Sequence, residues 1–429
     1  MPEMTSLIKI LFRRLAILIA LMPLLLFSQN AKIVDIKVQG NKKLKSSFVR
    51  QFALVKPGHE LDSLRLDSDM IRLKRLPAVA HAYYQVFPSN DGGFNVFYNI
   101  DENFTLIPSA NIYTTNDDEF AFRLGLAEFN LFGRAINFGG FYQDDIYSSY
   151  GISLRAPYVF GPRWGFAINH QNLTTLEPVF LENGTADYRY NNVSNEFLVL
   201  YEPSRKHKIE FGINIFSEDY EYREGATSPD VPQDLKVDKF LFKGIYQYDD
   251  LDYFYHYVSG FRSLLNFQYV KSNDIALPDF LIGFNDFFYY RRIGQRGNWA
   301  NRLRLGLATN NETPFAPFSV DNNLNIRGVG NIIDRGTGAI VLNTEFRYTL
   351  IEKNWFVLQG NGFIDAGSWR NPGGDFNDFV DIENLRVYPG IGVRFIHKRI
   401  FNAILRIDYG FGITKNSTQG FVFGIGQYF

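Results

Sequence analysis

From Phe104 to Phe429 the chain is a nearly unbroken series of strand-length segments in which apolar and polar residues alternate, separated by Asn, Asp, Gly and Pro. A period of two sends successive side chains to opposite faces of a strand. Along Leu385 to Ile396, one face carries Leu385, Val387, Ile391, Val393 and Phe395, and the other Arg386, Tyr388, Gly390, Gly392 and Arg394. Phe401, Ala403, Leu405, Ile407 and Tyr409 oppose Asn402, Arg406 and Asp408 in the same way, and Leu303, Leu305 and Leu307 oppose Arg302 and Arg304. Two architectures use such segments, a soluble sandwich and a transmembrane barrel. A count of about sixteen candidate strands, even in number as a barrel with both ends on one side requires, suits the second.

Composition favours the barrel too. Phe 42, Tyr 25 and Gly 36 make an aromatic and glycine excess that suits short strands with aromatic girdles. Beyond the N-terminus no apolar run approaches the ~18 residues of a membrane helix, whereas a barrel strand needs only ~9–11. Lys9, Arg13 and Arg14 precede the apolar run Leu15 to Phe27, and polar sequence resumes at Ser28-Gln29-Asn30. This pattern predicts a signal peptide over residues 1–28, its apolar run being shorter than the ~20 residues a spanning helix needs. With Cys 0, disulfides, a thiol nucleophile, thiolate metal sites and a lipoprotein anchor are excluded. A net charge of -1 indicates no nucleic-acid partner.

Residues 32–103 read differently, as strand, helix, helix, strand, strand. Val34, Ile36 and Val38 alternate up to a Gly40-Asn41 turn; Phe48, Val49 and Phe52 mark one helix before Pro57-Gly58, and Leu66, Met70 and Leu73 another before Leu76-Pro77. Val79 to Phe87 then pairs, across Ser89 to Gly93, with a strand whose inward face is Phe94, Val96, Tyr98 and Ile100. The element order, Gly40-Asn41 after the first strand, Gly58 after the first helix and Asp101-Glu102 at the exit make this module resemble a POTRA domain, the periplasmic unit of the BamA and TamA assembly proteins.

The longest gaps between strands, Thr174 to Asn192, Ser217 to Asp238 and Thr309 to Gly338, are expected as extracellular loops. The last holds Asn325-Ile326-Arg327-Gly328. If Leu342, Thr344 and Phe346 face lipid, Glu345 and Arg347 face the lumen; Gln359, Asn361 and Asp365 likewise oppose Phe356, Leu358 and Ile364. Arg327, folded inward, would meet both acids, and a guanidinium fork favours such pairing.

These residues carry the more specific resemblance. Arg327-Gly328 looks like the Arg-Gly motif in the sixth loop of BamA-type barrels, whose arginine engages acids on the twelfth and thirteenth strands. The resemblance makes those acids Glu345, in Asn343 to Arg347, and Asp365, in Phe363-Ile364-Asp365-Ala366-Gly367. The ending Phe421 to Phe429 is like the family's closing strand. Two departures stand out: Val329 where the family usually has an aromatic, and one POTRA-like module where BamA usually has five and TamA three.

The resemblance implies an outer-membrane barrel over 104–429 that inserts outer-membrane proteins or translocates a partner through a seam between its first and last strands. Its partners would be outer-membrane lipids, unfolded or partner outer-membrane proteins held by the module and the seam, and periplasmic or lipoprotein subunits. Pro108 in the first strand, Phe104 to Thr114, lacks an amide donor, and Gly424 and Gly426 are read as leaving the last strand, which ends on Phe429, poorly packed. The competing reading is a passive channel, or a structural barrel anchoring a surface complex. The six histidines, His59, His81, His170, His207, His256 and His397, have no metal-ligand spacing, and no nucleophile elbow or phosphate loop occurs, so no catalytic residue, metal or cofactor is expected. The acid pairs Asp117-Asp118, Asp144-Asp145 and Asp249-Asp250 are expected in solvated turns.

Overall fold

The computed structural model describes residues 32–429 apart from positions 91, 115–119, 182, 275–276, 312, 314–316, 320–324, 330–334, 401–402 and 416. The expected signal peptide, Asp117-Asp118 and Phe401-Asn402 lie outside the described residues.

The N-terminal module runs β1 (Ile33–Gln39), α1 (Ser46–Phe52), α2 (Ser63–Lys74), β2 (Val79–Pro88), β3 (Phe94–Glu102). Its sheet order is β1-β3-β2, with β3 parallel to β1 and antiparallel to β2. Phe48, Val49 and Phe52 from α1 and Leu66, Met70 and Leu73 from α2 are buried against Val96, Tyr98 and Ile100. Val34 differs from its expected place: the register shifts between Ile33 and Asp35, so Ile33 and Ile36 turn inward and Val34 stays 39% exposed. Among the described residues of this core the buried carboxylate is Asp69, which accepts from the amides of Leu54 and Val55 and from the Tyr98 hydroxyl, as burying a charge requires. Glu102 accepts from the amides of Lys42, Lys43 and Leu44 and so fastens the turn after β1 to the module's exit. In that turn Gly40 (φ +81°) would place a Cβ 2.4 Å from the Ile100 carbonyl oxygen, so only glycine fits.

Sixteen antiparallel strands follow, each paired with its chain neighbour. They are β4 (Leu106–Thr114), β5 (Phe120–Leu131), β6 (Ile136–Asp145), β7 (Tyr147–Ala156), β8 (Trp164–Leu181), β9 (Gly184–Ser204), β10 (His207–Gly225) and β11 (Asp234–Phe254). Then come β12 (Tyr257–Ser272), β13 (Phe280–Ile293), β14 (Gly297–Ala308), a two-stranded ribbon in the long loop, β15 (Phe318–Ser319) with β16 (Arg335–Gly336), and β17 (Gly338–Glu352). The last are β18 (Phe356–Arg370), β19 (Leu385–His397), β20 (Ile404–Phe411) and β21 (Gln419–Ile425). Leu126, Ile152, Ile215, Phe242, Phe267, Leu342, Ile391 and Leu405 are exposed on the outer face, while Arg302, Glu345, Asp365, Arg394 and Asp408 are buried on the inner one. An apolar exterior around a polar interior is the inverse of a soluble sandwich.

Two of the three expected loops are not loops. Residues 174–192 and 217–238 are mostly ladder, because β8 to β11 continue as long hairpins. Cross-strand tyrosines hold the β9–β10 extension together: Tyr190 opposes Tyr220 and Tyr188 opposes Tyr222, with ring centroids 4.7 and 5.7 Å apart. Asp144-Asp145 and Asp249-Asp250 also fall in strands rather than turns, at the end of β6 and within β11.

The module is fastened to the turns at one end of the barrel. Arg72 on α2, 3% exposed, donates from Nε to Glu202 at the end of β9 (3.2 Å), from Nη2 to the Pro162 carbonyl (2.7 Å) and from Nη1 to the Phe52 carbonyl (2.9 Å). Tyr158 donates to the same Glu202 (2.9 Å) and meets Phe52 edge-on. Arg75 reaches Asp249 (3.2 Å), and the Lys45 amide donates to the Gly133 carbonyl (2.9 Å). Arg72→Ala leaves Glu202 buried without its cation, a loss of about 3–5 kcal/mol for a buried pair. Limited proteolysis should then release the module at the 103–105 junction from an intact barrel, and an unaltered digestion pattern would show that Arg72 is not the fastener.

Candidate functional site

The loop between β14 and β17 enters the lumen, and its turn Asn325–Gly328 lies against β17, β18 and β20. The Arg327 side chain is fully buried. Its Nε donates to Asp365 Oδ2 (2.8 Å) and its Nη2 to Asp365 Oδ1 (2.9 Å), a two-point grip to which the Arg327 amide adds a third bond (3.0 Å). Nη1 donates to Glu345 Oε2 (2.7 Å) and stands 3.6 Å from Asp408. Alternation sends Glu345 on β17 and Asp365 on β18 to the lumen, and these are the twelfth and thirteenth barrel strands. The guanidinium faces are covered by Phe363, 3.6 Å from the ring centroid, and Tyr428, at 4.3 Å.

The group extends further. Glu345 also accepts from Arg394 Nη2 (2.8 Å) and from Arg347, and Asp408 accepts from Arg406 (3.0 Å) and Asn361 (3.1 Å). Four arginines and three carboxylates thus share one buried site, where each charge is tolerated only because its neighbours compensate it. Gly328 is needed twice over. Its φ is +91°, and a Cβ there would lie 2.5 Å from the Gly410 carbonyl oxygen on β20, just as a Cβ on Gly410 would strike the Arg327 carbonyl at 2.2 Å. Beside this contact Ile326 and Val329 are buried with Phe318, Val341, Trp369 and Tyr388, so a valine follows the Arg-Gly pair without leaving a gap. Thr418, just before β21, donates to the Val329 carbonyl (2.7 Å). Gly367 is buried on β18 opposite Val341 and Arg386.

The expected seam residues divide. Pro108 lies in β4. Among the described residues β4 pairs only with β5 and β21 only with β20, so no ladder joins the first barrel strand to the last. Phe104 precedes β4 and bridges to Ile400 instead. Gly424 leaves no gap, because the Arg406 guanidinium fills the place where its Cβ would be. Gly426 lies beyond the strand with φ +93°, and its amide donates to the Ile404 carbonyl (2.8 Å). There the chain turns inward. Tyr428 caps Arg327, and Phe429 crosses to the far wall, packing beside Leu251, Phe288, Tyr290 and Ala300 while its carbonyl accepts from Arg347 (3.2 Å). A continuing strand would have put Phe429 on the outer face with Phe421 and Phe423.

Alternation had already placed Arg394 and Asp408 on lumen faces; their convergence on Glu345 and Arg327 depends on strand register. Phe363 shares the parity of Asp365 and was legible in the same way. Gly410 carried no signal, since its role arises from a loop that approaches it in space. Among the described residues no His, Asp or Glu group is arranged to hold a metal.

No family model matches the chain, and no curated protein sequence does. Solved structures do. BamA from Haemophilus ducreyi lacking POTRA domains 1-3 superposes with a TM-score of 0.56 at 14% identity, covering 92% of this chain and 85% of that one. CdiB from Acinetobacter baumannii gives 0.60 at 14% identity over 93% and 74%, and CdiB from Escherichia coli 0.63 at 11% identity over 91% and 75%. The chain therefore has the fold of a BamA/TamA-type barrel.

Proposed function

We propose that the protein is a bacterial outer-membrane barrel that inserts outer-membrane proteins or translocates a partner, and that it admits an extended client segment between β4 and β21. The observation that carries this reading is the missing ladder between those two strands in an otherwise fully paired wall. Both are short, nine and seven residues, beside neighbours of up to twenty-one. An interstrand hydrogen bond contributes about 1 kcal/mol net in water and more in lipid, so the wall opens most easily where the bonds are fewest. An incoming strand would add to either edge by β-augmentation. Withdrawing Tyr428 from Arg327 would free residues 427–429 to lengthen β21, which couples the seam to the lumenal site. The module at 32–103 acts as a POTRA domain in the periplasm, delivering clients to the turns it is fastened to.

A passive pore is disfavoured by the contents of the lumen, where the Arg327 loop and the tail meet at mid-height. The role is non-enzymatic. Depleting the protein should lower the surface levels of particular outer-membrane proteins and leave small-solute uptake alone; unchanged client levels together with a large steady conductance in a bilayer would establish the channel instead. Topology has its own test. Since the chain has no cysteine, Asn90→Cys reports on the module without background. It should resist an impermeant maleimide in intact cells and react once the outer membrane is permeabilised, and labelling of intact cells would reverse the orientation.

A further inference from the structure

The end of the barrel away from the module contains a second feature, separate from the Arg327 site. A cavity of about 840 Å³ opens on the inner face of β8 to β13, beneath the extended hairpins and beside Thr309, Asn310, Asn311, Thr313 and Pro317 of the long loop. Its wall is apolar where a barrel lumen is ordinarily polar: Val179, Phe216, Leu241, Val270 and Phe280 all face inward. Tyr190 and Tyr220 extend this wall, and the Tyr190 hydroxyl donates to Glu218 (2.8 Å). The charges are one-sided. Among the described residues, Glu177, Glu218, Asp230 and Asp279 line the cavity with one ammonium, Lys239, which is itself paired with Glu218 at 2.5 Å.

We propose that this cavity is a binding site for a short cationic, aromatic-bearing peptide segment. Its size lies within the ~300–1,000 Å³ of pockets that enclose drug-sized ligands. Carboxylates and aromatic faces both attract cations, and the apolar wall gives an aromatic side chain a place to be buried. The same charge repels anionic lipid headgroups and phosphorylated glycans. This site stands apart from the seam: it lies in the lumen at the opposite end from the module and uses none of the residues of the Arg327 group or of β4 and β21.

The test uses the full-length protein in nanodiscs of neutral phosphatidylcholine and an amidated hexapeptide alternating lysine and phenylalanine, followed by titration calorimetry. One-to-one binding is expected, weakened about tenfold between 50 and 500 mM salt as screening removes the attraction. The paired change Asp230→Asn and Asp279→Asn, both at exposed positions, should weaken it about tenfold, and Val270→Trp, which fills the cavity from an inward-facing position, should abolish it. Retention of heat-modifiable migration shows that each variant is folded. Equal binding of the hexapeptide with glutamate in place of lysine, binding of neutral maltohexaose in preference to the peptide, or full binding by the asparagine pair would overturn the proposal. Because the readout is peptide binding in vitro, its failure leaves the client-level and cross-linking tests of the seam unaffected.

Discussion

Arg327→Ala is expected to lower the unfolding temperature of the barrel on unheated gels and to expose residues 309–337 to protease. The variant removes three of the bonds that Asp365 accepts or that reach Glu345, and the effects on the two acids differ. Glu345 keeps Arg347 and Arg394, whereas among the described residues Asp365 keeps only the amide at position 327. Orphaning a buried carboxylate costs about 3–5 kcal/mol, a large fraction of the stability of any domain. Arg327→Lys should rescue little, because an ammonium reaches one oxygen where the guanidinium grips two and stacks between Phe363 and Tyr428. Unchanged migration and unchanged loop cleavage in both variants would show that the loop is held by its apolar contacts alone.

Locking the seam is expected to reduce activity to that of cells lacking the protein while leaving the barrel folded. Ala110 on β4 and Phe421 or Phe423 on β21 are exposed, and a cysteine at Ala110 cross-linked to one at either phenylalanine ties the two edges together without filling the lumen. A conduit through the lumen would work as before once so tied, since its path does not pass between the strands. The reduced, uncross-linked double variant is the control and should retain activity. Full activity in the cross-linked protein, with client levels at the cell surface unaltered, would remove the seam from the mechanism.

Features set within a single strand or helix were legible in the sequence, and those set between distant elements were not. A residue's face on a strand is a local property, and in β17 to β20 the parity of Glu345, Asp365, Arg394 and Asp408 placed every one of them in the lumen. The module's helices were legible for the same reason, from apolar residues one turn apart. Where a local break intervenes, parity fails: the shifted register in β1 turned Val34 outward, and the left-handed turn at Gly426 took Phe429 into the lumen instead of continuing the closing strand. The hairpin extensions of β9 and β10 looked like loops because Asn, Asp and Glu fill them. Cross-strand Tyr190 and Tyr220 make them ladder, and that pairing exists only once the strands are in register.

Alternation and composition therefore determined by themselves that this chain builds a long sheet with apolar residues on one face and charges on the other, because the direction of a side chain from a strand follows from the backbone period alone. Which charges meet was decided by the tertiary structure. Arg327 and Asp365 are 38 residues apart and Arg394 and Glu345 are 49 apart, and only the stagger of neighbouring strands brings them to one level of the lumen. Whether the first strand pairs with the last was likewise outside the reach of the sequence, since closure depends on the curvature and tilt summed over sixteen strands rather than on any residue in the two that meet.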